Sequence, residues 1–372
     1  MTRLCTRNVI IRWSAVGLTL CVVLVCALGQ AVAESSPDPW VLLVDEGGKA
    51  REEARYDVAE RLLSQALQEA EHDQPNGGRV AEAANNLGLL YHDQGRLGAA
   101  RALYERALAI RQGQSEEESE AVAAVLNNLA ELAQAEGAWD QAEPLYGRVL
   151  AIERRVLGGG HPDVGITLNN LAELYRKQGR ESAAESSYRL ALTVLEQAQG
   201  TDHQDLGPVL NNLAVLYKGR GLYTWAESFY QRTLKVRRLR FGNDHPAVAM
   251  SLNNLGCLYQ AQGLYAAAQR ALDEALAVAE RAVGSQAALT GTILGNLAFL
   301  ADQQGLVTHA QLLYQRALVI QQQQLGLRHP MVGLLLDRYA RVLDYAGRPV
   351  EAGLFAARAA SIRLQEESVA PR

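Results

Sequence analysis

Four cysteines are all the chain of 372 residues holds, and Cys5, Cys21 and Cys26 lie close to its start. Should the first 33 residues be removed, Cys257 stands alone and an internal disulfide is excluded. There is no Gly-rich phosphate loop, no HExxH, no pair of cysteines beyond the first 33 residues, and no serine in a strand–turn–helix setting. Phosphate-cradle, zinc-hydrolase and nucleophile-elbow chemistries therefore lack their residues. Carboxylates are plentiful but spread over helix surfaces, so neither an enzyme nor a cofactor is expected. Lysine is scarce, with four among 36 basic residues. Together with abundant alanine and leucine, that bias suggests a GC-rich bacterial gene.

The one long apolar run lies at the amino end. Arg3, Arg7 and Arg12 precede an apolar segment from about Ser14 to Leu28, with small residues at Ala31 and Ala33. That order is the pattern of a secretory signal peptide cut after Ala33, which implies a periplasmic or secreted protein. The alternative is an uncleaved membrane anchor over Trp13 to Ala33, in which case the protein would meet a membrane. Removing three arginines leaves 33 basic against 41 acidic residues, a net charge of −8. Nothing in that balance favours nucleic acid or an anionic membrane surface.

What the sequence does have is a repeat. Asparagine pairs stand at Asn85-Asn86, Asn127-Asn128, Asn169-Asn170, Asn211-Asn212 and Asn253-Asn254, each step 42 residues. The next step holds Gly295-Asn296 and the one after Asp337-Arg338. Glycine returns in the same register from Gly95 to Gly347, and alanine from Ala100 to Ala352, seven times each. Leu168, Leu171, Ala172 and Tyr175 fall at helical spacing, and Gly179 ends that helix. A second stripe follows with Ala184, Tyr188, Ala191 and Leu192, the alanine lying where two helices cross closely. Gly158, Gly200, Gly242, Gly284 and Gly326 cap the second helices. His161-Pro162, His245-Pro246 and His329-Pro330 open the next unit, proline suiting a first turn that needs no amide hydrogen. The histidines read as cap residues, not metal ligands. Each unit is a helix hairpin that must stack on its neighbours to bury its apolar faces. The expected fold is all-α, a right-handed α-solenoid (superhelix) of fifteen or sixteen antiparallel helices without β-sheet.

Leu87, Gly88, Tyr91, Gly95, Ala100, Tyr104 and Ala107 resemble the tetratricopeptide repeat signature. The 42-residue period, "LNNLAELYRKQGR" and the link from Leu157 to Val164 resemble the kinesin light chain variety of that repeat. The resemblance implies a solenoid of tetratricopeptide helix hairpins that binds proteins or extended peptides without catalysis. It divides the chain into a signal peptide (1–33), a partial N-terminal capping repeat (34–80), six 42-residue repeats (81–332), and a degenerate C-terminal capping repeat with tail (333–372). Residues 40–70 match only in the second helix, and the acidic link at 113–120 lacks both the glycine cap and His-Pro.

On a helical wheel Asn170 lies almost opposite the apolar stripe, with Asn169 nearer the edge of that far side. In proteins the chain resembles, this face lines the inner wall and binds extended peptides. A side-chain amide offers a donor and an acceptor to any peptide backbone. Asn86, Asn128, Asn170, Asn212, Asn254 and Asn296 are therefore candidate peptide contacts, with Asn85, Asn127, Asn169, Asn211 and Asn253 beside them. The other reading is that these amides fix one unit on the next. The rest of the face changes along the chain. It is acidic early (Glu82, Asp93, Glu131, Glu173), basic in the middle (Arg176, Lys177, Lys218) and apolar later (Val215, Met250, Cys257, Phe299). Glu131, Glu173, Arg176 and Lys218 join the candidate list. The expected partner is a protein or extended peptide, with no nucleic acid and no small-molecule substrate. The second functional reading is an assembly protein that uses its outer faces or ends.

Overall fold

The structure is a computed structural model that describes residues 38–114 and 118–369. The expected leader and part of the acidic link lie outside the described residues. Among the described residues there are sixteen helices and no strand. The chain divides into two compact units that meet at Ile110 and Arg111, and each is described by itself.

The first unit contains α1 (Pro39–Glu52), α2 (Tyr56–Asp73), α3 (Gly78–Asp93) and most of α4 (Leu97–Gly113). A full hairpin stands where only a second helix was legible. Trp40 donates its indole N–H to Ala66 O at 2.9 Å, and Gly47 packs so closely on Leu63 that a Cβ would sit 2.8 Å from its side chain. Gly47 and Gly48 hide the helix from periodicity because they leave gaps in the apolar stripe. Gly47 also makes the close crossing possible.

The second unit runs from α5 (Glu120–Ala135) and α6 (Trp139–Val156) through α7 (Pro162–Lys177), α8 (Glu181–Gln199), α9 (Leu206–Gly219), α10 (Tyr223–Phe241), α11 (Pro246–Ala261) and α12 (Tyr265–Val283). It ends with α13 (Ala288–Gln303), α14 (Val307–Leu325), α15 (Pro330–Tyr345) and α16 (Pro349–Val369). Each odd-numbered helix pairs with the even one after it and then packs on the next pair. A cluster of buried side chains extends continuously from Ala130 to Leu300.

Both glycine columns do what their spacing implies. Gly179 takes φ +73°, and the amide of Arg180 reaches back to Tyr175 O at 2.9 Å, closing the last turn of α7. Gly200 after α8 has φ 89° and ψ 165°, a backbone region open to glycine alone. The histidines are caps: His161, His245 and His329 accept the amide N–H two residues on through Nδ1, at 3.3, 3.1 and 3.1 Å. Ala184 and Ala226 have no exposed surface, and Leu174 joins Leu168, Leu171 and Ala172 inside. Leu174 extends the buried arc because a first helix packs on its own partner and on the preceding pair.

Adjacent hairpins are also tied by a polar clamp absent from the apolar pattern. Tyr175 donates its hydroxyl to Glu143 Oε1 at 3.0 Å, and Arg180 reaches Glu143 Oε2 at 2.7 Å with its guanidinium 4.2 Å above the Tyr175 ring. Tyr91, Arg96 and Glu60 repeat the arrangement in the first unit. Tyr259 and Glu227 keep the hydroxyl bond at 2.8 Å. Hydrogen bonds from Arg96, Arg180 and Tyr217 hold Glu60, Glu143 and Glu185 respectively below the usual carboxylate range.

Candidate functional site

Within the second unit, first helices of several successive hairpins touch one another directly, and no comparable contact links the second helices. Two rows of unequal spacing must curve toward the closer row, so the first helices form the inner face. The repeated asparagines lie there, half-buried except for Asn128, which is buried.

The asparagines form a ladder. Asn212 donates Nδ2–H to Asn169 Oδ1 at 3.0 Å, Asn254 to Asn211 Oδ1 at 2.9 Å, and Asn296 to Asn253 Oδ1 at 2.8 Å. Asn170 extends it backward, donating to Glu131 at 2.9 Å and to Asn127 Oδ1 at 3.4 Å. The rule is simple: the second asparagine of one repeat bonds the first asparagine of the repeat before. Stacking thus engages one N–H of each second asparagine and one lone pair of each first.

What remains differs along the unit. Asn127 donates to Glu131 at 2.9 Å, and Asn169 leans toward Asn170 Oδ1 at 3.5 Å. The Nδ2 groups of Asn211 and Asn253 have no partner among the described residues, nor do the Oδ1 atoms of Asn212, Asn254 and Asn296. In the first unit Asn85 and Asn86 occupy the same register on α3, also half-buried.

The charged candidates divide in two. Glu173 and Arg176 hold each other in a two-point pair at 2.6 and 2.9 Å, and Tyr188 donates to Glu173 at 2.8 Å. Burial raises the Glu173 carboxyl, but Arg176 and Tyr188 together bring it below its ordinary range. Lys218 has no carboxylate partner among the described residues. It borders a hollow of about 240 Å³ shared with Cys257, Asn296, Phe299 and Arg338. The Arg338 guanidinium lies 4.2 Å above the Phe299 ring, and burial pushes the Cys257 thiol up, away from thiolate. Arg338 escaped the sequence reading because it stands where the asparagine pattern ends. Its register alone could have found it.

Four matches to the tetratricopeptide repeat family model cover residues 50–113, 121–197, 205–281 and 258–320. The chain belongs to the tetratricopeptide repeat family. No curated protein sequence matches it closely enough to count as a relative. Among solved structures it is similar to BtubC (BKLC) from P. vanneervenii, at 24% identity over 64% of this chain and 90% of that one, with a TM-score of 0.51. It is also similar to the apo quorum sensor NprR from B. thuringiensis, at 12% identity over 93% of this chain and 94% of that one, with a TM-score of 0.66. A putative kinesin light chain repeat protein from Podosopora anserina matches at 23% identity over 55% of this chain and 96% of that one, with a TM-score of 0.47. At these identities the first two structures speak for the tetratricopeptide fold alone.

Proposed function

We propose that the protein is a non-catalytic interaction scaffold whose second unit holds an extended peptide segment against the asparagine face. The observation that carries this reading is the unevenness of the ladder. Stacking uses half of each asparagine amide and leaves Asn211 and Asn253 with donors, and Asn212, Asn254 and Asn296 with acceptors, on one face. Successive helices lie roughly 8–10 Å apart and an extended chain advances about 3.3 Å per residue, so each repeat meets a backbone group about every third residue. Lys218 and the Phe299–Arg338 pair flank that path and would add preference for an acidic or aromatic side chain. The test is selection of linear peptides from a random library on the intact protein. Selected peptides should lose affinity for Asn211→Ala/Asn253→Ala, and a selection that returns no linear binder would count against the groove.

One observation favours the second reading, assembly through an edge. Leu222, Leu264 and Leu306 recur at 42-residue steps and are 45–50% exposed, forming an apolar row where second helices begin. Concentration-dependent self-association abolished by Leu264→Glu would support it.

We propose export as the location, after cleavage near Ala33, on the basic–apolar–small order of the first residues. No helix among the described residues is long and apolar enough to cross a membrane. Intact-mass analysis of the native protein decides: a terminus at Glu34 supports cleavage, and a retained Met1 supports the anchor.

A further inference from the structure

We propose that the wedge between α5, α6 and α7 is a receptor pocket for an arginine side chain carried by a bound segment, with Glu153 as its buried counter-charge. The inference rests on the groove reading only for the source of that arginine.

The pocket is a cavity of about 170 Å³. Glu153 lines it and is 8% exposed. Its Oε1 accepts the Thr167 hydroxyl at 3.0 Å, whereas Oε2 is buried without a protein partner. A buried carboxylate oxygen left unpaired is costly, and burial pushes the Glu153 carboxyl up. Glu120 and Asp163 add two more acids to the lining. His161 lies 3.6 Å from Asp163, and Arg154 acts on Glu153 from a distance. Neither basic group bonds Glu153 among the described residues.

The repeat itself shows what such a wedge takes. Two repeats on, the position of Glu153 is Arg237 and that of Thr167 is Ser251. Arg237 donates Nη1–H to Ser251 Oγ at 2.9 Å and to Ala247 O at 3.1 Å. Two repeats further, Gln321 in the same column donates to Ala288 O at 2.8 Å and Thr292 Oγ1 at 2.9 Å. In both places a donor on the second helix closes onto a first helix, the following one at Arg237 and that of its own hairpin at Gln321. At Glu153 the column supplies an acceptor instead, and the space stays open. A guanidinium entering from outside would restore the missing donors, and its paired N–H groups suit a carboxylate.

The remaining walls fit the stem of that side chain. Leu157, Ile166 and Ala124 are apolar, and methylenes pack against such surface while the charged tip reaches deeper. Asn127, the rung at the start of the second unit's ladder, also lines the cavity. The pocket therefore opens on the same face, and a segment lying along the ladder can drop an arginine into it.

The experiment is a titration of the intact, methyl-labelled protein with Nα-acetyl-arginine methylamide, followed at the Ile166 and Leu157 methyl resonances. The neutral citrulline counterpart, of nearly the same shape, serves as control. The arginine compound should shift both methyls saturably and bind at least about tenfold tighter than the citrulline compound. Glu153→Gln keeps an acceptor for Thr167 and should remove most of that difference. Equal binding of the two compounds to the unmodified protein, or no saturable shift, would overturn the pocket, and neither outcome depends on a variant folding. The groove is judged separately by the library peptides. Arginine binding in a protein that takes no linear peptide would overturn the groove and leave the pocket, and the reverse would overturn the pocket alone.

Discussion

Asn212 donates its side-chain N–H to Asn169 Oδ1, 3.0 Å away and one repeat earlier. The bond joins two first helices that are neighbours in space and 43 residues apart in sequence. It makes the pairs Asn211-Asn212 and Asn253-Asn254 at once spacers between repeats and carriers of unused amide groups.

The ladder therefore has a measurable coupling. A double-mutant cycle on Asn169→Ala and Asn212→Ala should give an interaction of about 0.5–1.5 kcal/mol in unfolding free energy, the net worth of one such bond. The pair Asn169 and Asn254, which share no bond, should be additive. Triple replacement of Asn170, Asn212 and Asn254 should cost roughly 1–3 kcal/mol after alanine's better helix propensity is allowed for. Urea denaturation supplies all of these values.

Ala226 is fully buried where α10 crosses α9. Ala226→Leu should lower unfolding free energy by roughly 1–3 kcal/mol through overpacking. Unchanged thermal stability would contradict the crossing assignment.

The Tyr–Glu–Arg clamps and the buried Glu153 make opposite predictions about pH. Glu143 is held down by Arg180, so its contribution is present above the unfolded carboxylate pKa near 4.3 and disappears as pH falls through its lower folded value. The deficit of Glu143→Gln relative to the natural protein should thus be fully visible at neutral pH and close in acid. Glu153 is raised by burial, so its protonated form favours the fold, and that advantage fades as pH rises through the folded value. Glu153→Gln should be more stable than the natural protein at pH 8, with the gap closing on acidification. Melting curves of both variants between pH 3 and 8 check the two signs together.

Much of this architecture was legible because a repeat states its own register. The glycine columns gave hairpin ends and the alanine column gave the crossings, since each position demands one backbone or one size. The α1 helix was hidden because Gly47 and Gly48 interrupt the apolar stripe that periodicity relies on. The clamp acids Glu60, Glu143 and Glu227 looked like solvated surface, because a carboxylate's partner across hairpins lies more than 30 residues away. The asparagine question had two answers open from sequence, stacking or ligand. The wheel places both amides on one face but cannot show that Asn212 reaches backward to Asn169 while Asn211 keeps its own N–H groups.

The most direct measurement of the central claim follows the side-chain amide resonances of the protein while a library-selected linear peptide is added. The account predicts that the Nδ2–H₂ signals of Asn211 and Asn253 shift and saturate together, at one dissociation constant. The Nε2 signals of Gln231 on α10, engaged by Glu227 at 3.1 Å, should stay in place. Movement at Gln231 with Asn211 and Asn253 unchanged would contradict it.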